Sequence, residues 1–432
     1  MSRAVVVVGG GLAGVSAAMR LRELGAQVRI VDPGVLGGTA RTAEPVPGWK
    51  IELGPHTFTH RSAELVGLLA RLGLRDEIVP LGAGAKVRFL RRGGALCANA
   101  RALRLGEMWS LFWGLFSRAE TAPDADMRAW ASARFGPRVA DEVVAAFVTG
   151  IWAAAPEELE MASAFPMLEA LTRAEGSVFG ALRAIRQSGV QPPLTAGTWT
   201  VRGGLGRIGE AAETALSGER DHGRVLGVSR RGTGWCVDTN EGEVEGDQIV
   251  CALPTWQAAP LMAPHSASVA EGLGSVKYSP ILAAHWLSPD SAFPAGFGYL
   301  AGPAEGAKVL GTLFTSDLFP ERTPAGFRSG ATLLGGTRDP EAVNLDDQGA
   351  RARIEEEHRQ LTGRTLTFEH MHLVRHARAV AVPAPGHAEL RRRLHASLPE
   401  GLALAGAWDG SGAMEDAARS GREAADRLMG AA

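Results

Sequence analysis

Three glycines close to the start of the chain have the spacing of a phosphate-binding turn. Gly9, Gly11 and Gly14 follow a run of four valines in AVVVVGGGLAGVSAAMRLRELGAQVRIVD, and Asp32 ends the same stretch. Gly9 permits a tight turn, Gly11 lets the backbone approach a pyrophosphate, and Gly14 allows a helix to pack closely. Asp32 is placed to bind a ribose hydroxyl. These residue types predict the binding of a dinucleotide.

The elements that would hold this turn can be read on either side of it. The valine run predicts a buried strand, the segment up to Gly25 has helical periodicity, and the apolar residues before Asp32 predict a second strand. The N-terminus of the helix would face the phosphates. A glycine fingerprint alone is weak evidence, because any tight turn between a strand and a helix can show it. The complete order of strand, turn, helix and strand strengthens the interpretation.

Two segments further along narrow the choice of cofactor. LGGTAR contains Gly37, Gly38 and Arg41, and IELGPHTF contains Glu52 and His56. With the first turn they resemble the extended fingerprint of the FAD-dependent amine-oxidase-like superfamily. The resemblance implies a non-covalently bound FAD instead of a diffusing nicotinamide. The cofactor contacts that it implies are Gly9, Gly10, Gly11, Leu12, Ala13, Gly14, Asp32, Gly37, Gly38, Thr39, Arg41, Gly54, Pro55, His56, Thr57, Val225, Gly406, Gly412, Ala413 and Met414.

Two later segments return to the same nucleotide-binding unit. TWTVRGGLGRIGEAAETAL predicts a glycine turn and a helix, and DQIVCALP predicts a buried strand. LALAGAWDGSGAMEDAARSGREAADRLM predicts a strand, a turn and a final helix. In the superfamily this helix points its N-terminus at the flavin. Gly412, Ala413 and Met414 would then donate backbone N–H groups, and the helix dipole would favour negative charge on the reduced flavin.

We expect a multi-domain α/β protein of the α+β type. It would combine a Rossmann-like FAD-binding domain with an inserted strand-rich substrate domain and an inserted helical domain, for which membrane binding is an alternative. The expected bounds are 1–75, 200–258 and 391–432 for the FAD-binding domain, 76–90 and 259–390 for the substrate-binding domain, and 91–199 for the helical domain.

The helical block contains an aromatic stripe in LGEMWSLFWGLFSRAE. Trp109, Phe112, Trp113 and Phe116 recur at helical spacing and would share one face. Such a stripe is typical of a core helix. It is also typical of a helix that lies in a membrane surface with its rings at the level of the headgroups. The sequence leaves both open, so peripheral membrane contact through 106–117 stays an alternative.

Four other segments carry a more specific resemblance. They are RFLRRGGAL, GIWAAAPEELEMASAFPMLEALTRAEGSVFGAL, AGFGYLAGPAEGAKVLGTLFTSDLFPERTPAGF with the following LLGGTRDPE, and PAPGH before the last strand. Their content and order resemble the protoporphyrinogen oxidase family. The resemblance covers nearly the whole chain, and it implies oxidation of a tetrapyrrole substrate in haem biosynthesis.

The family resemblance assigns roles to named positions. Arg88 would pair with a propionate, with a solvated strand charge as the alternative, and Gly150 would abut the flavin. Thr149 stands where many relatives carry Arg, and Ser411 stands where a glycine is usual. The substrate-binding residues that the resemblance implies are Arg88, Phe147, Phe297, Gly298, Leu300 and Leu333.

The implied reaction suits the stretch 295–326, whose glycine, proline and aromatic content suggests little acid–base chemistry. Protoporphyrinogen would lose six electrons and six protons, and each round would pass a hydride from a meso carbon to the flavin. Electron-rich pyrroles stabilise the cation that remains. An apolar clamp that holds the carbon close to the flavin would supply much of the catalysis, so we assign no catalytic acid or base. Dioxygen is the expected electron acceptor, and it would give hydrogen peroxide.

The composition limits which binding partners and cellular compartments can be expected. The 432 residues carry 45 Lys and Arg against 47 Asp and Glu, and no long basic run indicates nucleic-acid binding. Cys97, Cys236 and Cys251 follow no disulfide or zinc pattern, which favours a reducing compartment. Neither a leader nor a membrane-spanning stretch is evident. We expect a cytoplasmic protein, with the cytoplasmic face of the inner membrane and a homodimer as open alternatives.

A metal site is not expected from the histidines. His370, His372 and His376 lie close together in HMHLVRHAR, but their spacing fits one face of a strand, and no Cys or carboxylate completes a ligand set. His387 is interpreted as a structural residue or as part of a loop near the flavin.

Four other functions compete with protoporphyrinogen oxidation. Coproporphyrinogen III has more propionates and would need more cations at the rim of the pocket. A flavin amine oxidase would need an aromatic cage and often a lysine near the flavin, whereas Tyr278, Tyr299 and Lys277 are the few residues on offer. A carotenoid desaturase would lack the segment around Phe297. A non-catalytic flavin-binding partner of the tetrapyrrole pathway is the alternative outside enzymes.

Overall fold

The computed structural model describes residues 3–59, 63–187 and 197–431. Residues 188–196, in the expected helical domain, lie outside this set. The strands are β1 (Ala4–Val8), β2 (Gln27–Val31), β3 (Thr42–Val46), β4 (Trp49–Glu52), β5 (Phe58–Thr59), β6 (Ile78–Pro80), β7 (Arg88–Arg92), β8 (Ala95–Ala98), β9 (Thr198–Val201), β10 (Arg220–Asp221), β11 (Val225–Arg231), β12 (Gly234–Thr239), β13 (Gly242–Gly246), β14 (Gln248–Cys251), β15 (Lys277–Ser288), β16 (Gly298–Leu300), β17 (Gly311–Leu313), β18 (Arg328–Gly335), β19 (His370–Val382) and β20 (Leu402–Leu404). The α-helices are α1 (Leu12–Glu23), α2 (Ala63–Arg71), α3 (Leu105–Gly114), α4 (Met127–Phe135), α5 (Pro137–Val139), α6 (Ala145–Trp152), α7 (Met161–Ala164), α8 (Pro166–Glu175), α9 (Val178–Gln187), α10 (Gly206–Ala215), α11 (Thr255–Met262), α12 (Ala267–Gly274), α13 (Thr315–Leu318), α14 (Asp347–Thr362), α15 (His387–Ala396) and α16 (Met414–Met429).

A parallel sheet gathers the segments that the sequence predicts to bind the dinucleotide. Its strand order is β10-β2-β1-β14-β20, and all neighbouring strands run parallel. The four valines of β1 are at most 1% exposed, because the sheet is covered on both faces. A strand buried on both faces has a continuous apolar sequence, which is why this run does not alternate. α1 and α16 pack against each other beside the sheet.

A second, mixed sheet has seven strands in the order β19-β15-β18-β17-β16-β7-β8. Alternate side chains point to opposite faces. One face packs with α14 into a core that includes Leu282, Trp286, Tyr299 and Ile354. The sheet takes in residues 91–98, which the sequence analysis assigned to the helical domain. The pairing of Phe89 with Ala98 continues the sheet through a hairpin before the helices begin.

The other face of this sheet lies towards the nucleotide-binding part. His285 of β15 stacks on His56, with ring centroids 5.6 Å apart. A ring nitrogen of His376 on β19 lies 2.8 Å from the carbonyl oxygen of Leu53. These contacts bring the segment after β4 against the sheet, so a ligand held by that segment lies next to this sheet face.

The helices between β8 and β9 form a separate core. Met127, Trp130, Trp152 and Leu159 are among its buried residues, and Leu111 and Leu115 pack against it. A π-helical turn at Ala140–Val144 leads directly into α6. α6 therefore runs from this helical core to the second sheet.

The aromatic stripe on α3 does not enter that core. The exposed fractions are 66% for Trp109, 53% for Phe112, 54% for Trp113 and 43% for Phe116. The core-helix interpretation of the stripe is therefore wrong for the described chain, and α3 presents its rings to the outside. Among the described residues, no helix combines the length and the apolar character needed to cross a bilayer.

Candidate active site

The first glycine turn presents free backbone donors. α1 begins after Gly11, and its first backbone hydrogen bond runs from Val15 N to Gly11 O over 2.9 Å. The N–H groups of the three residues between them have no acceptor within the helix. A Cβ atom added at Gly11 would meet nothing within 4 Å. The turn therefore combines donors for a phosphate with space beside them.

Asp32 lies at the end of β2, beside this turn. Its Oδ2 accepts a hydrogen bond from Gly10 N and its Oδ1 accepts one from Gly34 N, each over 2.7 Å. Each carboxylate oxygen retains a lone pair for a ribose hydroxyl. Val225 packs at the edge of the buried cluster that contains Val31. Asp32 thus lies at the carboxyl end of the parallel sheet, where such sheets bind their ligands.

Two loops extend the groove from the first turn. Gly37 N donates to Gly10 O over 2.8 Å, and Leu53 N donates to Arg41 O over 2.7 Å. Arg41 is exposed, so its guanidinium can reach a phosphate. Other predicted cofactor residues are at least partly accessible along these loops: Gly38, Thr39, Gly54, Pro55, His56 and Thr57.

A buried ion pair fastens these loops to the second sheet. Arg322 Nη1 lies 2.6 Å from Glu52 Oε1, with the side chains only 3% and 2% exposed. Arg322 Nη2 donates to Val201 O over 2.8 Å, and Leu205 N donates to Glu52 Oε1 over 3.0 Å. Burial raises the pKa of Glu52, whereas the Arg322 charge and the Leu205 N–H oppose that rise. The pair joins three segments that are distant in sequence.

The terminal turn brings the start of α16 beside β5, where Thr59 N donates to Glu415 Oε1 over 2.8 Å. Ala413 is the N-cap of α16 and has no side-chain capping bond, and the first intrahelical bond is Ala417 N to Ala413 O. Ser411 N and Oγ both donate to Asp416 Oδ2, over 2.8 and 2.6 Å. Trp152 Nε1 of α6 donates to Ser411 O over 2.5 Å. The serine that departs from the family pattern thus binds the first turn of α16 through the Asp416 carboxylate. Gly406 is buried, whereas Gly412, Ala413 and Met414 are half-buried.

Part of the second sheet provides a flat apolar floor. Leu300 pairs with Gly311, and Gly311 pairs with Leu333, so the three share the sheet face that lies towards the nucleotide-binding part. Leu300 and Leu333 are half-buried. Gly298 shares that face. A Cβ at Gly298 would lie 2.1 Å from Thr312 O, and one at Gly311 would lie 2.3 Å from Tyr299 O. The glycines keep the floor free of side chains.

A cation lies at one edge of this floor. Arg88 pairs with Gly298 in register, and its guanidinium carbon lies 4.5 Å from the ring centroid of Phe297. Its Nη2 donates to Thr198 Oγ1 over 3.3 Å. Burial lowers the pKa of Arg88, which nevertheless stays charged at neutral pH. Among the described residues Arg88 has no ion-pair partner, so its charge is available to an anionic group.

α6 supplies the opposing wall. Phe147 stacks on Phe165, with ring centroids 6.3 Å apart and an angle of 22° between the planes. A Cβ added at Gly150 would lie 2.4 Å from Leu300 Cδ2, so α6 packs directly on the floor. Thr149 is buried, and its hydroxyl lies 3.4 Å from Ala154 O. The structure therefore brings Arg88, Phe297, Gly298, Leu300 and Leu333 onto one surface, with Phe147 on the neighbouring helix.

Three residues at this junction are missing from the sequence-predicted set: His285, Arg322 and Trp152. Each is at most 3% exposed. The signal for His285 is its position on the same face as the floor leucines, which cannot be known before the strand pairing is known. Arg322 could have been found as the basic residue after the FP motif. Its pairing with Glu52 could not be predicted, because Glu52 lies in another domain.

The remaining histidines have structural neighbours. His387 Nε2 lies 2.7 Å from Trp408 O, which supports the structural interpretation. His370 stacks on Trp49 at 6.4 Å, away from His376. Potential metal-ligand atoms of Cys236, Asp238 and Glu243 lie within 4.8 Å of one another elsewhere in the described chain. Arg231 Nη1 donates a hydrogen bond to Glu243 Oε2 over 2.6 Å, so one of these carboxylates already has a partner.

Comparison with known proteins agrees with this geometry. Residues 12–429 match the sequence family described as flavin containing amine oxidoreductase. The chain belongs to this flavoenzyme family. Protoporphyrinogen oxidases of Macaca fascicularis and Homo sapiens are each 28% identical to it over 475 residues, covering 100% of this chain and 99% of theirs. A solved structure from Exiguobacterium sp. 255-15, provisionally named a protoporphyrinogen oxidase, has a TM-score of 0.83 at 19% identity over 99% of both chains, and it shows the shared fold.

Membership of the flavoenzyme family confirms three predictions: the fold class, the FAD cofactor and the resemblance to protoporphyrinogen oxidases. The protein is an FAD-dependent oxidoreductase. The groove fits the cofactor on its own evidence. Within the described ranges it offers N–H groups without acceptors at the starts of α1 and α16, a carboxylate at Asp32, an exposed Arg41 and open space beside Gly11.

Proposed function

We propose that the protein oxidises protoporphyrinogen IX to protoporphyrin IX, with FAD as cofactor and dioxygen as final acceptor. The observation that carries the proposal is the flat apolar floor of Leu300, Gly311 and Leu333. Arg88, which has no ion-pair partner in the described part of the chain, lies at its edge. A planar tetrapyrrole with apolar faces and propionates along one edge matches this surface. Relatives named protoporphyrinogen oxidase, which match this chain over 99% of their length, support the same assignment.

Each part of the site has a role in this reaction. The bound flavin supplies a two-electron acceptor. The floor and Phe147 exclude water and hold the macrocycle flat. One meso carbon then stays close to residues 53–57 after β4, which we call the flavin-facing segment. Arg88 orients the ring through a propionate. The N–H groups at the start of α16 stabilise the negative charge that reduction brings.

Aerobic turnover of the FAD-loaded protein tests this proposal. Protoporphyrinogen IX and coproporphyrinogen III are supplied side by side, and porphyrin fluorescence and hydrogen peroxide are followed. Faster conversion of the first supports the proposal. Faster conversion of the second assigns the enzyme to coproporphyrinogen, and conversion of neither overturns both substrates.

Removing the Arg88 charge is expected to weaken substrate binding more than it slows chemistry. Arg88→Ala should raise KM for protoporphyrinogen IX about tenfold, equivalent to about 1.4 kcal/mol, with kcat changed by less than about threefold. Arg88→Lys keeps the charge without the planar contact to Phe297. Its KM should therefore lie between those of the wild type and Arg88→Ala. Steady-state kinetics of the three proteins check this. Equal KM values in all three would contradict the role of Arg88.

The amine oxidase alternative finds less support. Tyr299 pairs with Thr312 and belongs to the core on the opposite sheet face, so it is not part of an aromatic cage at the floor. Tyr278 contacts Trp256 and Thr255, and Lys277 is exposed. Bleaching of the flavin by primary amines, without bleaching by porphyrinogens, would reverse this preference.

We also propose that α3 is a peripheral membrane contact, on the cytoplasmic face of the inner membrane. Four aromatic rings and Met108, which is 40% exposed, form one apolar surface on this helix. Phe179 of α9 extends it, with its ring 4.8 Å from that of Phe116. An enzyme with an apolar substrate would gain from such a surface, because apolar molecules transfer favourably from water into hydrocarbon.

Removing two rings from α3 is expected to release the protein from membranes. Trp109→Ser combined with Trp113→Ser should lower the partition into vesicles of phosphatidylglycerol and phosphatidylcholine at least about tenfold, since each buried ring contributes about 1.5–3 kcal/mol. Sedimentation with vesicles measures this. Leu226→Ser is the matched control, because Leu226 is 63% exposed on β11, distant in sequence from the patch. Equal binding of the double variant and the wild type would contradict the contact.

A further inference from the structure

The buried His285 meets the half-buried His56 between the flavin-facing segment and the second sheet. His285 is 1% exposed, and its ring stacks on that of His56 with centroids 5.6 Å apart and an angle of 26° between the planes. The Nε2 atoms of both rings are buried and have no hydrogen-bond partner among the described residues. Two unpaired nitrogens facing the same junction indicate that something polar reaches them during function.

The ring of His285 is oriented to accept a proton. The backbone carbonyl of Glu52 accepts a hydrogen bond from this ring. Because Nε2 has no partner among the residues that the structure describes, that bond uses Nδ1 and leaves the Nε2 lone pair as an acceptor. Burial holds the pKa of His285 well below its usual value, and burial together with the Arg322 charge lowers the pKa of His56 to about 4. Both rings are therefore neutral at physiological pH.

Strand pairing connects His285 with the substrate floor. Two residues along β15, Ala283 pairs with Leu333 of the floor. Residues two apart in a strand lie about 7 Å from each other on the same face. His285 is thus at the end of the floor that meets the His56 segment, where the flavin is expected.

Strand pairing also gives an exit to solvent. On its other side His285 pairs with His372 of β19, and His372 is exposed. Directly paired side chains lie about 5 Å apart at Cβ. The titratable groups around His285 are His56 from the flavin-facing segment and His372 from β19, while Ala331 faces it from β18. Arg322, whose charge acts on His56, is paired with Glu52.

We infer that His285 accepts the proton that leaves a pyrrole nitrogen during oxidation and passes it through His372 to solvent. The inference rests on the proposed porphyrinogen oxidation. In each round the meso C–H bond breaks, and FAD, when bound, would take the hydrogen with its electron pair as hydride. The pyrrole N–H bond then breaks, its electrons complete the new double bond, and a new N–H bond forms at His285 Nε2. A weakly basic imidazole suffices, because loss of hydride makes the pyrrole N–H strongly acidic.

Single-turnover reduction of the flavin tests the role of His285. FAD-loaded protein is mixed anaerobically with protoporphyrinogen IX, and loss of the flavin absorbance is followed. His285→Gln should slow bleaching about 100-fold, the usual contribution of a positioned base. His285→Ala should be equally slow and should recover at least about tenfold with added imidazole. The dissociation constant and absorbance spectrum of bound FAD should stay those of the wild type.

Two further variants separate a proton route from a structural role. His372→Gln should slow bleaching about threefold to tenfold, with a larger solvent isotope effect than the wild type. His370→Gln on the same strand face is the control and should behave as the wild type. Bleaching of His285→Gln within about threefold of the wild type overturns the inference. So do loss of FAD binding in both His285 variants and absence of imidazole rescue. Wild-type protein that never bleaches with porphyrinogen overturns the proposed function instead.

Discussion

Replacing Gly11 with valine is expected to abolish FAD binding and to leave the apoprotein folded. A Cβ at Gly11 meets no atom within 4 Å, so the added side chain fits the chain itself. Its backbone angles, φ −67° and ψ 179°, are open to any residue. The same space lies beside the free N–H groups of α1, where a pyrophosphate must sit. We expect FAD affinity to fall at least about 100-fold, measured by fluorescence titration of the apoprotein.

Substitutions at two other glycines are the controls for the Gly11→Val result. A Cβ at Gly14 would lie 1.8 Å from Gly9 O, so Gly14→Ala should destabilise the apoprotein by about 1–3 kcal/mol as well as impair binding. Gly25 has φ +79° and open space around it, so Gly25→Ala should cost about 1 kcal/mol of stability and leave FAD affinity intact. Normal FAD affinity in Gly11→Val would refute the assignment of the turn.

Local sequence patterns predicted the nucleotide-binding part well, because its signals are short-range. The strand, turn, helix and strand around Gly9 and Asp32 form as the fingerprint predicted, and the final helix follows the last strand. A β–α turn is specified by a few consecutive residues, since backbone angles and close approach are local requirements. The residues of the substrate floor were predicted from the family resemblance alone, because apolar side chains carry no chemical signature.

Long-range pairing decided what the sequence could not predict. His285 and Tyr299 are both buried, yet strand register turns one towards the flavin-facing segment and the other into the core. A shift of register by one residue would exchange the faces. The exposure of the α3 stripe could not be predicted for the same reason, because it also depends on long-range packing. Helical spacing identified one face, but only the position of the helical core tells whether that face is covered.

Breaking the Glu52–Arg322 pair is expected to be the most destabilising charge substitution in the junction. Arg322→Met should lower the free energy of unfolding by about 3–5 kcal/mol, because it leaves the Glu52 carboxylate buried and unpaired. Adding Glu52→Gln in the same chain removes that charge and should recover part of the loss. Urea unfolding of the apoproteins measures both. Arg392→Met is the control, since Arg392 and Glu389 form an exposed pair worth less than about 1 kcal/mol.

The double variant also tells whether the pair serves stability or position. Arg322 hydrogen-bonds Val201 and Thr200 as well as Glu52, so it holds the loop after β9 and the flavin-facing segment at a fixed separation. If the pair only stabilises, Arg322→Met with Glu52→Gln should bind FAD as the wild type does once folded. If it sets the position of the segment that carries His56, FAD affinity should fall even where stability is recovered. Equal stability losses in Arg322→Met and Arg392→Met would contradict both roles, because burial is what makes this pair different.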